Sequence, residues 1–319
     1  MTATNHSANQ GRVPAQGVPA QQMPTTAPAA PVQGAPVPAQ QGQVLQAPHG
    51  QVPAQQRAPR RRVQAKQTFF SVFRSEWSKL ASLRSTWITA AIASLITIGI
   101  SVLIMAQYVG TKGYADKAAN YLTVGSSFGQ IAVAVLGALL ITGEYSSGQI
   151  RSSLAAVPRR GRLFAAKALV VAIFSALLGL VTVALTYLLS LPILGDKAGS
   201  LSNPEYLGFF WGTAMAFAII GLMAMSFGYI LRSTAGSISL VVVLLFVLLI
   251  PLGLAASKWE WVRYITDVLP SSSAAAVADP YHLLGTITKL DHGAVIASGY
   301  AWAIIPMIIA FFVFSKRDA

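Results

Sequence analysis

The stretch ALVVAIFSALLGLVTVALTYLLS, Ala168–Ser190, decides the fold. It holds no Asp, Glu, Lys, Arg or His. About 20 mostly apolar residues of helix cross the hydrocarbon core of a bilayer. In lipid every backbone polar group must be satisfied internally, which a helix does and a loop does not. Five more stretches have the same character: Trp87–Tyr108, Val124–Thr142, Leu207–Ile230, Ser237–Ala256 and Ala294–Phe314. The expected fold class is therefore all-α, a polytopic membrane protein with six transmembrane helices.

Composition agrees. Of 319 residues 54% are hydrophobic and 10% charged, where a soluble domain carries about 25% charged residues. The net charge of +13 would point to nucleic acid in a soluble protein, but its distribution follows the spans. The tail, the second–third and fourth–fifth connections and the C-terminus hold 17 Lys and Arg and 3 acids. The opposite side holds 6 and 7. The positive-inside rule then places both termini and the second–third loop in the cytoplasm of a cell (plasma) membrane, with no nucleic-acid role. Cysteine is absent, so no disulfide or thiolate site is expected. The first 60 or so residues contain no apolar signal-peptide core, so the first span is expected to act as an uncleaved targeting signal.

Three regions follow. Residues 1–62 are rich in Ala, Gln and Pro, with Val-Pro-Ala-Gln at Val13, Val18, Val37 and Val52. Such a segment buries too little apolar surface to offset chain entropy and is expected to be a disordered cytoplasmic tail, either a tether or an extension without specific role. Residues 63–86 combine a basic cluster, completed by Arg60, Arg61 and Arg62, with an amphipathic helix. Phe69, Phe70, Phe73, Trp77, Leu80, Leu83 and Trp87 recur at three- and four-residue spacing, opposed by Arg74, Glu76, Lys79 and Arg84. That pattern suits a helix lying in the headgroup plane of membrane lipid, with Glu76 and Lys79 one turn apart on its polar face. Residues 87–319 form the membrane domain. On the outer side, Ser257–Gly293 carries interfacial aromatics and a small-residue run, Ser271–Ala278, expected as one or two short helices against the outer face.

The informative loop is GEYSSGQIRSSLAAVPRRGRLFAAK, Gly143–Lys167. A lone Glu144 opens it, Pro158 interrupts any helix, and Arg159, Arg160 and Arg162 form a cationic corner. Two explanations stand: a protein-docking element, or topology alone, which accounts for the arginines but not for Gly143-Glu144-Tyr145 or the proline.

EWSKLASLRSTW (Glu76–Trp87) together with GEYSSGQIRSSLAAVPRRGRLFAAKALV (Gly143–Val170) resembles the permease subunits of type 2 ATP-binding-cassette (ABC) exporters, most of all their actinobacterial branch. The resemblance runs from about Phe69 to the C-terminus. In that family the second–third loop carries a coupling helix seated in a groove of the ATPase subunit, and the helix before span one lies along the inner membrane surface. By position the resemblance assigns coupling to Glu144, Tyr145, Arg151, Pro158, Arg159, Arg160 and Arg162, and the interfacial helix to Phe70, Phe73, Trp77, Leu80 and Trp87. It implies an ATP-binding-cassette ATPase partner and a homodimer or heterodimer with a similar permease. The long tail and the serines Ser152 and Ser153 depart from the pattern.

No G-x-x-x-x-G-K-[ST] phosphate loop occurs, so no cofactor is expected on this chain and ATP would be bound by the partner. Gly125-Ser126-Ser127-Phe128-Gly129 fits the G-x-S-x-G hydrolase pattern but lacks the strand-to-helix context. It also reads as G-x-x-x-G, as do Gly208 and Gly212, and such pairs permit close helix contact, including a dimer face. No catalytic or metal site is expected, with only His6, His49, His282 and His292 present and no clustered acids. The expected function is a permease exporting a hydrophobic or amphiphilic substrate. The alternatives are a membrane-anchored scaffold or sensor and, against the lack of ionisable residues in the spans, a coupled secondary carrier. A path would be lined by hydroxyls and aromatics such as Ser175, Thr182, Thr186, Tyr187, Trp211 and Thr213.

Overall fold

The structure, a computed structural model, describes residues 68–316. The expected disordered tail, 1–62, and the basic cluster lie outside the described residues. In chain order the helices are α1 (Phe69–Ser82), α2 (Arg84–Val109), α3 (Ser126–Ser146), α4 (Gln149–Ala156), α5 (Arg160–Leu194), α6 (Pro204–Leu231), α7 (Thr234–Val242), α8 (Leu249–Ala256), α9 (Trp261–Asp267), α10 (Pro270–Ala278) and α11 (His292–Lys316). A 3-10 segment at Ala115–Thr123 leads into α3, and a π-helical turn at Val243–Val247 joins α7 to α8. No strand occurs among the described residues. Six helical stretches are long and apolar enough to cross a membrane, matching the six expected spans.

Local chemistry sets the boundaries. Thr68 caps α1 by accepting the Ser71 amide, and Asn203 caps α6 by accepting the Glu205 amide at 2.9 Å, with Pro204 at the first helical position. Leu83 is extended, which breaks α1 from α2 and makes an elbow. Gly148, at φ +70°, turns the chain from α3 into α4, a backbone conformation that a side chain would strain. Val157–Arg159, around Pro158, separates α4 from α5.

α6 is the centre of the bundle, packing against α3, α5, α10 and α11. Small residues let the backbones approach: a Cβ on Gly137 of α3 would lie 2.3 Å from the Gly221 carbonyl oxygen of α6. The two G-x-x-x-G pairs are used the same way. A Cβ at Gly125 would meet the Thr97 carbonyl oxygen of α2, and one at Gly212 the Val277 carbonyl oxygen of α10. Both pairs are therefore spent on packing within the chain and do not supply a dimer face, which corrects that expectation. α10, the Ser271–Ala278 run, is buried against α6 and α11 and does not lie on the outer face. The span of α7 and α8 is the least enclosed: only Ser237, Val241 and Leu245 are buried along it. Ser175, Thr182, Thr186 and Thr213 are fully buried between helices, and the Thr186 and Thr213 hydroxyls are spent on carbonyls one turn back, so these four line no open path.

Candidate coupling site

At the end of the bundle where α1, α3, α4 and α5 meet, four charges are gathered. α3 and α5 run past their expected span limits, so Glu144 and Lys167 lie inside continuous helices a turn or less beyond those limits. Lys167 is 1% exposed and Glu144 6%. The Lys167 ammonium donates to Glu76 Oε2 at 2.5 Å and to Glu144 Oε1 at 2.7 Å. The Lys79 ammonium donates to Glu76 Oε1 at 2.7 Å, Glu144 Oε1 at 3.3 Å and Ser153 Oγ of α4 at 3.1 Å. Two carboxylates and two ammonium groups make a neutral quartet, and Ser153 attaches α4 to it.

An ion taken from water into a buried site needs close partners to offset its desolvation, and here each has them. Burial by itself would lower the Lys79 pKa. The hydrogen bond to Glu76 and the charge of Glu144 outweigh it and hold the ammonium above its usual value.

The face of α1 expected to be solvated is thus partly a core face. Glu76 is buried between α1 and α5, with Val72 and Leu80 on the same side. Leu80, expected in the headgroup stripe, is 1% exposed and packs with Ala90, Leu136, Val170 and Phe174. The rest of the stripe stays outside. Phe70, Phe73 and Trp77 form a stacked ladder, Trp77 and Trp87 meet Phe174 edge-on, and Phe70 and Trp87 are largely exposed. A helix buried on one side by a charge pair and exposed on the other by aromatics suits a membrane interface.

The loop residues separate into two groups. Arg151, Pro158 and Arg159 are exposed on and after α4. Tyr145 and Arg160 are turned inward. The Arg232 guanidinium sits 5.0 Å over the Tyr145 ring, which meets Tyr229 edge-on. Arg160 Nη1 donates to the carbonyls of Phe314 and Ser315, capping the end of α11. The cationic corner is therefore not a uniform surface, and Arg160 is committed to the fold. Ile150 and Leu163 join Val72, Phe164, Tyr229 and Phe314 in the cluster beneath α4. α4 is thereby seated on apolar contacts and held by one polar link.

Glu76, Lys79, Ser153 and Lys167 are the site residues that sequence reasoning missed. A signal existed for Lys167: it is a lone cation within the apolar run Leu163–Phe174. Glu76 and Lys79 read as an ordinary surface pair because helical spacing shows which residues share a face, not what covers it.

A family model described as ABC-2 family transporter protein matches residues 72–248, from α1 through the π turn after α7. No curated protein matches the chain.

Proposed function

The chain belongs to the ABC-2 family of transporter proteins, and from that premise we propose that it exports a hydrophobic or amphiphilic substrate using ATP hydrolysed on a separate ATP-binding-cassette ATPase. It is a multi-pass membrane transporter permease, and its family pairs with such ATPases. α4 is the docking element in this reading, with Arg151, Pro158 and Arg159 presented to the partner. Both termini and α4 lie in the cytoplasm, which the excess of Lys and Arg on that side supports. The permease works as a homodimer or with a similar subunit, and the thinly covered α7–α8 span leaves apolar surface for that contact or for lipid.

The observation that carries the reading is the quartet. A force applied to α4 reaches Lys79 through Ser153, and through Glu76, Glu144 and Lys167 it reaches α1, α3 and α5 together. Bistable packed elements of this kind convert a small shift at one site into a larger rearrangement.

The test uses the permease assembled with its ATPase in inside-out vesicles. Glu144→Ala is expected to abolish ATP-dependent uptake of a fluorescent long-chain amphiphile while the protein still inserts. Ser153→Ala keeps all four charges and loosens only the link to α4. It is expected to lower the amount transported per ATP several-fold with hydrolysis continuing. Both variants transporting at the wild-type rate would overturn the coupling role.

A further inference from the structure

A cavity of about 480 Å³ opens at the elbow between α1 and α2, inside the size range of small-molecule sites. Its floor is the charge quartet. Its walls are Leu80, Leu136, Leu139 and Leu140, and its mouth carries Ser85 and Ser147. An apolar shaft ending on fixed charges is the shape of a site for an amphiphile taken headgroup first.

The hydrogen bonds decide the headgroup. Each oxygen of Glu76 has a short bond to an ammonium group. Lys79 spends its three N–H groups on Glu76, Glu144 and Ser153. On Glu144 both lysines converge on Oε1, whereas Oε2 has only the Ser153 hydroxyl at 3.5 Å, the outer limit of a hydrogen bond. A buried carboxylate oxygen accepts and cannot donate, so this one is short of a donor. An anionic headgroup would meet it with repulsion. A primary ammonium would complete it.

We infer that this cavity binds a long-chain primary-amine amphiphile, its ammonium donating to Glu144 Oε2 and its methylenes lying along the four leucines. This deepens the proposed permease function and rests on it for the claim that such an amine is cargo. Because Glu144 is also a member of the coupling quartet, an occupant competes for the carboxylate that helps hold Lys79 to α4. Occupancy thereby becomes a signal to the ATPase.

Gly143 offers the decisive variant. It lines the cavity, and a Cβ built there meets nothing within 4 Å, so Gly143→Leu fills space without a clash. The purified full chain in phosphatidylcholine nanodiscs is titrated with dodecylamine carrying a dansyl group at its chain end. Saturable binding of one probe per chain is expected, displaced by unlabelled dodecylamine and not by dodecyl sulfate. Gly143→Leu is expected to keep the wild-type thermal midpoint and to bind at least about tenfold more weakly. Equal binding by Gly143→Leu, or equal displacement by dodecyl sulfate, would overturn the assignment. Adding phosphatidylethanolamine to the nanodiscs separates two sources of the same headgroup. Loss of probe binding identifies a resident lipid amine, and retention identifies a free single-chain amine. Binding needs neither ATP nor partner, so a chain that binds the probe here but shows no ATP-driven uptake overturns the export reading and leaves the site standing. ATP-driven uptake of the amine undiminished in Gly143→Leu does the reverse.

Discussion

At the α4 end of the bundle, Glu76 and Glu144 are met by the ammonium groups of Lys79 and Lys167. At the opposite end, Asp267 and Asp279 are met by backbone amides. Asp279 accepts from Leu283 N at 2.9 Å and Leu284 N at 2.8 Å, and Asp267 Oδ2 accepts from Lys289 N at 2.7 Å and Leu290 N at 3.0 Å. Both ends bury acids, but what each holds in place differs. Backbone donors are built into one loop shape, so that end is a fixed cover between α10 and α11. Side-chain ammonium groups belong to separate helices, so the charges can be shared differently as the helices move. The end that must respond to a partner is held by exchangeable pairs, and the other by the chain itself.

Lys167→Ala should have the largest effect. It leaves two buried carboxylates with one ammonium group, and removing one partner of a buried ion set costs about 3–5 kcal/mol. Thermal unfolding of the purified protein should show a large drop, and Lys167→Ala combined with Glu144→Ala should recover part of it. A loss below about 1 kcal/mol would mean that the quartet is not what holds this end together.

Asp279→Ala should come next. Two backbone amides lose their acceptor, at about 1–3 kcal/mol if they stay buried. Hydrogen exchange should speed up at Leu283 and Leu284 and stay unchanged in α1 and α4. Faster exchange at both ends would break the contrast between a local cover and a distributed network.

Glu260→Gln should have the smallest effect. Its carboxylate pairs with Lys289 on the surface, and that hydrogen bond lowers its pKa. A lowered folded-state value favours the folded protein above the usual carboxylate range and loses that advantage as pH falls through it. Because the group is solvent-exposed and screened, no change in thermal midpoint is expected at pH 7 or on adding salt. A clear shift would give this surface pair a role that only buried pairs have here.

The six spans were legible because each is a local property of about twenty consecutive residues. The separate α1, the turn at Pro158 and the inner position of Glu144 were legible for the same reason. Which glycines pack against which helix was not. Gly125 and Gly212 carry the same motif in the sequence, and only the fold shows that both face helices of their own chain. Nor was the burial of Leu80 and Glu76, since an amphipathic pattern marks opposite faces without marking what covers either.

The sequence by itself determined that the chain crosses a membrane six times, which termini share a side, and that a short basic loop with one acid joins the second and third spans. Hydrophobic length and charge asymmetry act residue by residue, so no partner had to be known. Only the tertiary structure decided that Glu76, Lys79, Glu144 and Lys167 form one neutral group joined to α4 by Ser153. Lys167 lies 91 residues from Glu76 along the chain. An ion pair at that separation depends on helix packing, which spacing within the sequence does not encode.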